Sequence, residues 1–238
     1  MSNQEYNVDY IKINKEGYDK IYESGWGNRY ADSNLISMYY NNIRALLPAG
    51  RKWNCLDFGC SLGANTQFFH DIGFDMYGLD ISQTAIDKCI EIHHFPPERF
   101  LAADILEEKT QIKHLFPSVS FDLIIAANVL YYFTDTDIRR ILSQFDEIMK
   151  EDGVLYANMH TKDSTFYDGK QRSEDGLYRL ENSGSIDSMT CMNAVDGRDD
   201  MIKLFDVFQA ESVLYSRIET KENFFTQDYH YVGRVKKI

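Results

Sequence analysis

Cysteine is scarce in this 238-residue chain, with four in all, Cys55, Cys60, Cys89 and Cys191. No two of them stand in a CxxC spacing, so neither a disulfide framework nor a thiolate metal site is expected, and reduced thiols of a cytoplasmic protein are. The six histidines form no ligand cluster either; His93 and His94 fall at a helix terminus, where a cation is favoured. Basic charge is also short: 25 Lys and Arg face 37 Asp and Glu, a net charge of −12. A polyanion would be repelled by that field, which argues against nucleic acid as partner or substrate. No apolar run approaches the length that spans a bilayer, so no membrane segment is expected. The first ten residues, MSNQEYNVDY, lack the apolar core of a secretory signal.

What is present is an ordinary globular composition, 44% hydrophobic and 26% charged, and enough chain for one sizeable core. The most informative stretch is WNCLDFGCSLGANTQFFH, Trp53 to His70. A short apolar strand ends at Gly59, a small-residue turn follows to Gly63, and Ala64, Phe68 and Phe69 begin a helix. Strand, glycine turn and helix N-terminus together offer backbone N–H groups to a ligand. A second strand over Phe74–Leu79 ends in Asp80, and 80 − 59 places it 21 residues after the first glycine. An acidic residue there is placed to accept from ribose hydroxyls.

The rest of the chain follows an alternating pattern. Helices are expected at Asn34–Leu47, from Ser82 to Pro96, from Thr134 or Asp135 to Lys150, and at Asp199–Phe208. Strands are expected at Phe100–Ala103, Phe121–Ala127, Val154–Asn158, Ser212–Thr220 and Tyr229–Lys236. The run FDLIIAA reads as a buried central strand. Residues 161–200 break the pattern, are rich in Gly, Ser, Asp and Asn, and are long for a plain loop.

Residues Asp57, Gly59, Ser61 and Gly63 resemble the D-x-G-x-G-x-G motif of class I S-adenosylmethionine (SAM)-dependent methyltransferases, with Ser61 at the middle glycine. NVLYYF after the Asp122 strand and MKEDGVLYANM before the next one resemble later motifs of that family. The resemblance covers roughly residues 53–159. It implies a doubly wound, Rossmann-like α/β fold with a seven-stranded, mostly parallel sheet closed by an antiparallel pair. It also implies a single domain over 1–238, a helical cap over 1–48, and a lid or loop inserted at 161–200. The cofactor would be SAM, leaving as S-adenosylhomocysteine. Its site would take in Asp57, Gly59, Cys60, Ser61 and Gly63 of the turn, and Asp80 with Ile81 beside the adenine. Asp104 and Ile105 would hold the ring's other side, and Asn128 the methionine part. From the cap, Trp26 and Arg29 in GWGNRY, with Tyr30, would close the pocket. Tyr131 and Tyr132 would point toward the methyl group, and His160, His230 or Tyr131 would serve as base for a hydroxyl acceptor. The implied acceptor is a small molecule, methylated on O or N, a sugar or a phosphate-type metabolite among the options.

Three rival readings stay open on sequence alone. Gly59-x-Ser61-x-Gly63 is a literal nucleophile elbow, and Asp163 with His230 could complete a serine hydrolase. A glycine turn after a strand also suits a nicotinamide cofactor, although Ala64 stands at the third glycine position. A SAM-binding module without activity has the same fold.

Overall fold

A computed structural model describes residues 9–25, 27–174, 176–180, 190–221 and 224–236. The chain opens with α1 (Tyr10–Glu23) and α2 (Ser33–Met38), and then alternates β1 (Asn54–Phe58), α3 (Ala64–Asp71), β2 (Asp75–Asp80), α4 (Gln83–His93) and β3 (Phe100–Ala102). After α5 (Ile112–Leu115) come β4 (Phe121–Ala126), α6 (Asp135–Ile148) and β5 (Met149–His160). The last part holds β6 (Leu177–Leu180), β7 (Thr190–Asn193), α7 (Arg198–Leu204), β8 (Phe208–Lys221) and β9 (Phe224–Val235).

Seven strands form one sheet in the order β3-β2-β1-β4-β5-β9-β8. The first five are parallel, and β9 runs antiparallel to both β5 and β8. The expected doubly wound sheet with a closing antiparallel pair is therefore present. Strand order reverses between β1 and β4, and an open α/β sheet binds ligands at the carboxyl ends of the strands beside that point. Every residue of β4 is buried, as FDLIIA implies for a strand covered on both faces.

Each face of the sheet has its own core. Leu56, Phe58, Ile124, Leu155 and Tyr231 pack with Ile138, Ile141 and Phe145 of α6. Cys55, Leu123, Ile125, Tyr156 and Val232 pack with Leu35, Tyr39, Phe69 and Ile86 on the other side. At the amino ends of the strands, Asp122 is buried and neutralised by Arg51 at 2.5 Å, Lys150 at 2.8 Å and the Asn54 N–H at 2.8 Å.

Several expected boundaries shift. The helix expected over 34–47 is α2 followed by a π-helical turn, Tyr39–Ile43, closed by Arg44 N–H to Tyr39 O at 2.9 Å. Leu35, Tyr39, Ile43 and Leu47 are all buried and lie four residues apart. On a 3.6-residue helix that spacing drifts by roughly 40° per step, and one wide turn brings the row back to the core. β5 is longer than the expected Val154–Asn158 because its first residues pair across an irregularity between Phe121 and Leu123 of β4. α7 stops at Leu204, before the expected Phe208, which instead begins β8. The expected irregular stretch 161–200 contains an ordered antiparallel pair, β6 with β7, whose four β7 residues are all buried.

Candidate active site

The glycine turn between β1 and α3 is set by backbone geometry. Gly59 and Gly63 have φ of +76° and +85°, and a Cβ on Gly59 would lie 2.6 Å from Val129 Cγ2. The turn therefore lies directly on the loop that follows β4. Ser61 also has positive φ, +50°, which is uncommon for a residue with a side chain. Its N–H donates to Asp80 Oδ2 at 2.9 Å, while Ser82 N–H donates to Oδ1 at 2.9 Å. Asp80 thus joins the glycine turn to the N-terminus of α4. Burial raises its pKa and the two N–H donors hold it down.

A cavity of about 300 Å³ opens over this turn at the carboxyl ends of β1, β2 and β4. Gly59, Cys60, Ser61, Asp80 and Ile81 line one side; Asn128, Val129, Tyr131 and Tyr132 line another. The roof is α1, through Ile11, Asn14, Lys15, Tyr18 and Tyr22. These positions recur every three or four residues, which is one helix face. Two reciprocal hydrogen bonds hold the roof: Asn14 Nδ2 donates to Cys191 O at 2.9 Å, and Cys191 N–H to Asn14 Oδ1 at 2.9 Å. The Tyr18 hydroxyl meets that of Tyr132, and Tyr22 faces Ser61 across the cavity.

The loop after β4 is clamped. Asn128 has φ +58°, its N–H donates to Asn158 Oδ1 at 2.7 Å, and its Nδ2 donates to Asp32 Oδ2 at 2.9 Å. Asp32 Oδ1 meanwhile caps α2 by accepting from Asn34 N–H at 2.7 Å. The Tyr131 and Tyr132 rings lie 4.6 Å apart between centroids, and burial pushes both phenols well above their ordinary pKa. Both therefore stay protonated near neutral pH.

Of the residues expected at the cofactor site, Gly59, Cys60, Ser61, Asp80, Ile81 and Asn128 meet around the cavity. Asp104 lines an adjoining depression that shares Ile81, Ile11 and Lys15 with it. Asp57 lies beneath the turn, where its carboxylate accepts from the Thr66 hydroxyl at 2.6 Å. Gly63 faces Cys89 and His93 of α4, and Ile105 is in the core. Arg29 is exposed and off the cavity wall, while its neighbours Asn28 and Tyr30 are on it. Trp26 lies outside the described residues. Neither histidine reaches the lining. His160 is buried, with Nδ1 2.5 Å from Asp228 Oδ1, and its ring stacks behind Tyr131 at 4.1 Å between centroids. His230 is bonded to Tyr156 at 2.9 Å and Ser216 at 2.8 Å.

The sequence reading missed Asn14, Asp32 and Asn158. Only Asn14 carried a local signal, since it falls on the four-residue row with Tyr18 and Tyr22. Ser61 lines the cavity whereas His230 lies off it, bonded to Tyr156 and Ser216, so the residues of the hydrolase reading do not assemble into a triad.

A methyltransferase-domain family profile matches residues 32–213 of the chain. The chain belongs to the methyltransferase-domain family. The match runs from the Asp32 cap to Val213 in β8, so it takes in the glycine turn, Asp80 and the loop after β4, while the roof helix α1 precedes it. A SAM-dependent methyltransferase from Methanosarcina mazei has a similar structure, with TM-score 0.64 at 15% identity, over 82% of this chain and 97% of that one. The N-methyltransferase NodS of Bradyrhizobium japonicum, bound to S-adenosylhomocysteine, gives 0.62 at 17% identity, over 93% and 99%. A SAM-dependent methyltransferase of Clostridium acetobutylicum gives 0.59 at 15%, over 97% and 100%. At these identities the likeness concerns the fold. A comparison with curated proteins found no match. No helix among the described residues is long and apolar enough to cross a membrane.

Proposed function

We propose that the methyltransferase transfers the SAM methyl group to a small-molecule acceptor in the roofed cavity, with an amine the best-suited nucleophile. The residues present fit the cofactor. Each oxygen of Asp80 accepts one backbone N–H and keeps lone-pair capacity toward the cavity, as two ribose hydroxyls require. Gly59 leaves the space beside Val129 that a side chain would fill. Ile81 and the Asp104 depression suit the adenine ring and its amino group. Bound SAM supplies a methyl group already activated on a sulfonium. The protein's part is then to hold acceptor and donor in line, which is worth up to about 7–11 kcal/mol of the barrier.

The single observation that carries the small-acceptor reading is the roof. α1 closes over the glycine turn and is tied to β7 through Asn14, so a folded macromolecule has little access. In this reading residues 1–48 act as a cap, and 161–200 as the lid that anchors it. Charge narrows the acceptor further. Among the described lining residues Lys15 is the one cation, and it is paired with Asp19 at 2.7 Å, whereas Asp32 and Asp80 bring two carboxylates. A phosphate-type acceptor finds no free counter-charge there. No histidine lines the described wall, which favours a nucleophile whose neutral form attacks without a protein base. Tyr18, Tyr131 and Tyr132 would orient the acceptor by hydrogen bonds.

The test is to incubate the protein with methyl-labelled SAM and a cell extract, then separate the products by size. Label in the low-molecular-mass fraction, on nitrogen by mass spectrometry, is expected. Label retained on protein or nucleic acid would overturn the small-acceptor reading, and label on oxygen would overturn the amine.

A further inference from the structure

β8 is an edge of the seven-stranded sheet, fourteen residues long, and among the described residues its backbone pairs with β9 alone. Soluble proteins blunt such edges with proline, charged side chains, bulges, very short strands or a covering segment. The opposite edge, β3, has three residues. β8 has no proline, and between its irregularities at 210–212 and 219–221 it carries three exposed large apolar side chains: Leu214 at 46%, Tyr215 at 52% and Ile218 at 43% of full exposure. None of these residues touches the cavity, and the methyl-transfer chemistry leaves them unexplained.

We propose that β8 is a homodimer interface, pairing antiparallel with the β8 of a second copy about a two-fold axis at Leu214. The sequence of the strand is complementary to itself in that register. A two-fold axis at Leu214 sets each residue opposite the one whose number completes 428. Leu214 then meets Leu214, Val213 meets Tyr215, and Ser212 meets Ser216. Glu211 meets Arg217 twice, once on each side of the axis. Directly opposed residues in an antiparallel pair lie roughly 4.5–5.5 Å apart on one face, within reach of an ion pair. Arg217 lies over the Phe225 ring at 3.8 Å. Glu211 stands at an irregularity of the strand, between Ala210 and Ser212, so its ion pair with Arg217 draws on the reach of two long side chains. Among the described residues neither has an ion-pair partner within its own chain. Moving the axis to Tyr215 would set Glu211 against Glu219, and moving it to Ser216 would set Glu219 against Val213. The charges therefore exclude the Tyr215 register; the Ser216 register also sets Glu211 against Lys221, and exchanging Glu211 with Arg217 tells it from the Leu214 register, since only the latter keeps its ion pairs in a two-fold interface complementary to itself.

Sedimentation velocity of the full chain over a concentration series tests this, with circular dichroism and S-adenosylhomocysteine binding as checks on the fold. The wild type is expected to sediment as a dimer. Leu214→Asp places two carboxylates on the axis, and Arg217→Glu opposes like charges on both sides. Each should weaken the dimer by about tenfold or more. The paired swap Glu211→Arg with Arg217→Glu restores both ion pairs in this register alone and should recover dimerisation. A wild type that stays monomeric at about 100 μM would overturn the proposal. So would a dimer indifferent to both single variants, or a swap that fails to rescue. Because SAM affinity is read separately, failure here leaves the methyltransferase reading intact.

Discussion

Ser61 holds a left-handed backbone that glycine adopts without strain, and its N–H is committed to Asp80. Exchange to glycine relieves that strain and removes a small hydroxyl from the cavity wall, two small effects of opposite sign. Ser61→Gly should therefore keep S-adenosylhomocysteine affinity within about threefold by calorimetry and keep methyl transfer. Ser61→Val should lose about 1–2 kcal/mol of stability in urea unfolding, because a branched side chain resists this conformation. Retained transfer in Ser61→Gly would also exclude Ser61 as a nucleophile. Asp57 gives a pH signature. Burial raises its pKa to about 7, against the Thr66 hydroxyl that lowers it. The folded state thus holds this proton more tightly than the unfolded chain does. Its stabilising effect is full below about pH 4 and is lost as pH rises through about 7. Asp57→Asn removes the titration, so its melting temperature should gain on that of the wild type between pH 5 and 8. The upper bound is on the order of 4 kcal/mol. Parallel melting curves for the two proteins would refute it. Asp80 has the opposite role, at the cavity: Asp80→Ala should abolish measurable cofactor binding, and unchanged affinity would remove it from the site.

At the scale of elements, what could be read from the sequence was what depends on neighbours in the chain. The turn after β1, the caps at Ser82 and Thr134, and the buried run of β4 each follow from residues within one element. Asp80 was readable because strand, turn, helix and strand fix its distance from Gly59. The roof was not. Asn14 binds Cys191 across 177 positions, and no spacing rule announces that pairing. His160 looked catalytic because it ends β5 at the correct edge of the sheet, yet its partner Asp228 arrives from β9 and holds it behind Tyr131. The π-turn was hidden because a four-residue apolar row reads as an ordinary helix stripe. The roof has a consequence that can be measured. Asn14→Ala deletes both bonds to Cys191, a loss of about 1–3 kcal/mol. α1 should then exchange its amide hydrogens about tenfold faster or more, while β4 amides stay protected. Equal acceleration in both elements would mean that the whole fold, and not the roof, had been loosened.

For the whole molecule, the same sheet that fixes the site also leaves its β8 edge open, on the far side from β1. Cofactor binding and self-association are thus separable properties of one fold, and a global measurement can distinguish them. A ligand that binds only the folded state stabilises it by RT ln(1 + [L]/Kd), about 2.7 kcal/mol at one hundred times Kd. For a domain of this length each kcal/mol raises the melting temperature by roughly 2–4 °C. S-adenosylhomocysteine at that saturation should therefore raise it by roughly 5–11 °C. NADH should raise it by nothing, since Ser61 and Ala64 stand at the second and third glycine positions of G-x-G-x-x-G. The shift should persist in Leu214→Asp, because Leu214 lies outside the cavity. Protein concentration should move the melting temperature of the wild type but not of that variant. If instead Leu214→Asp erased the S-adenosylhomocysteine shift as well, edge and cavity would be coupled. The dimer would then be part of the binding site rather than a separate consequence of the sheet.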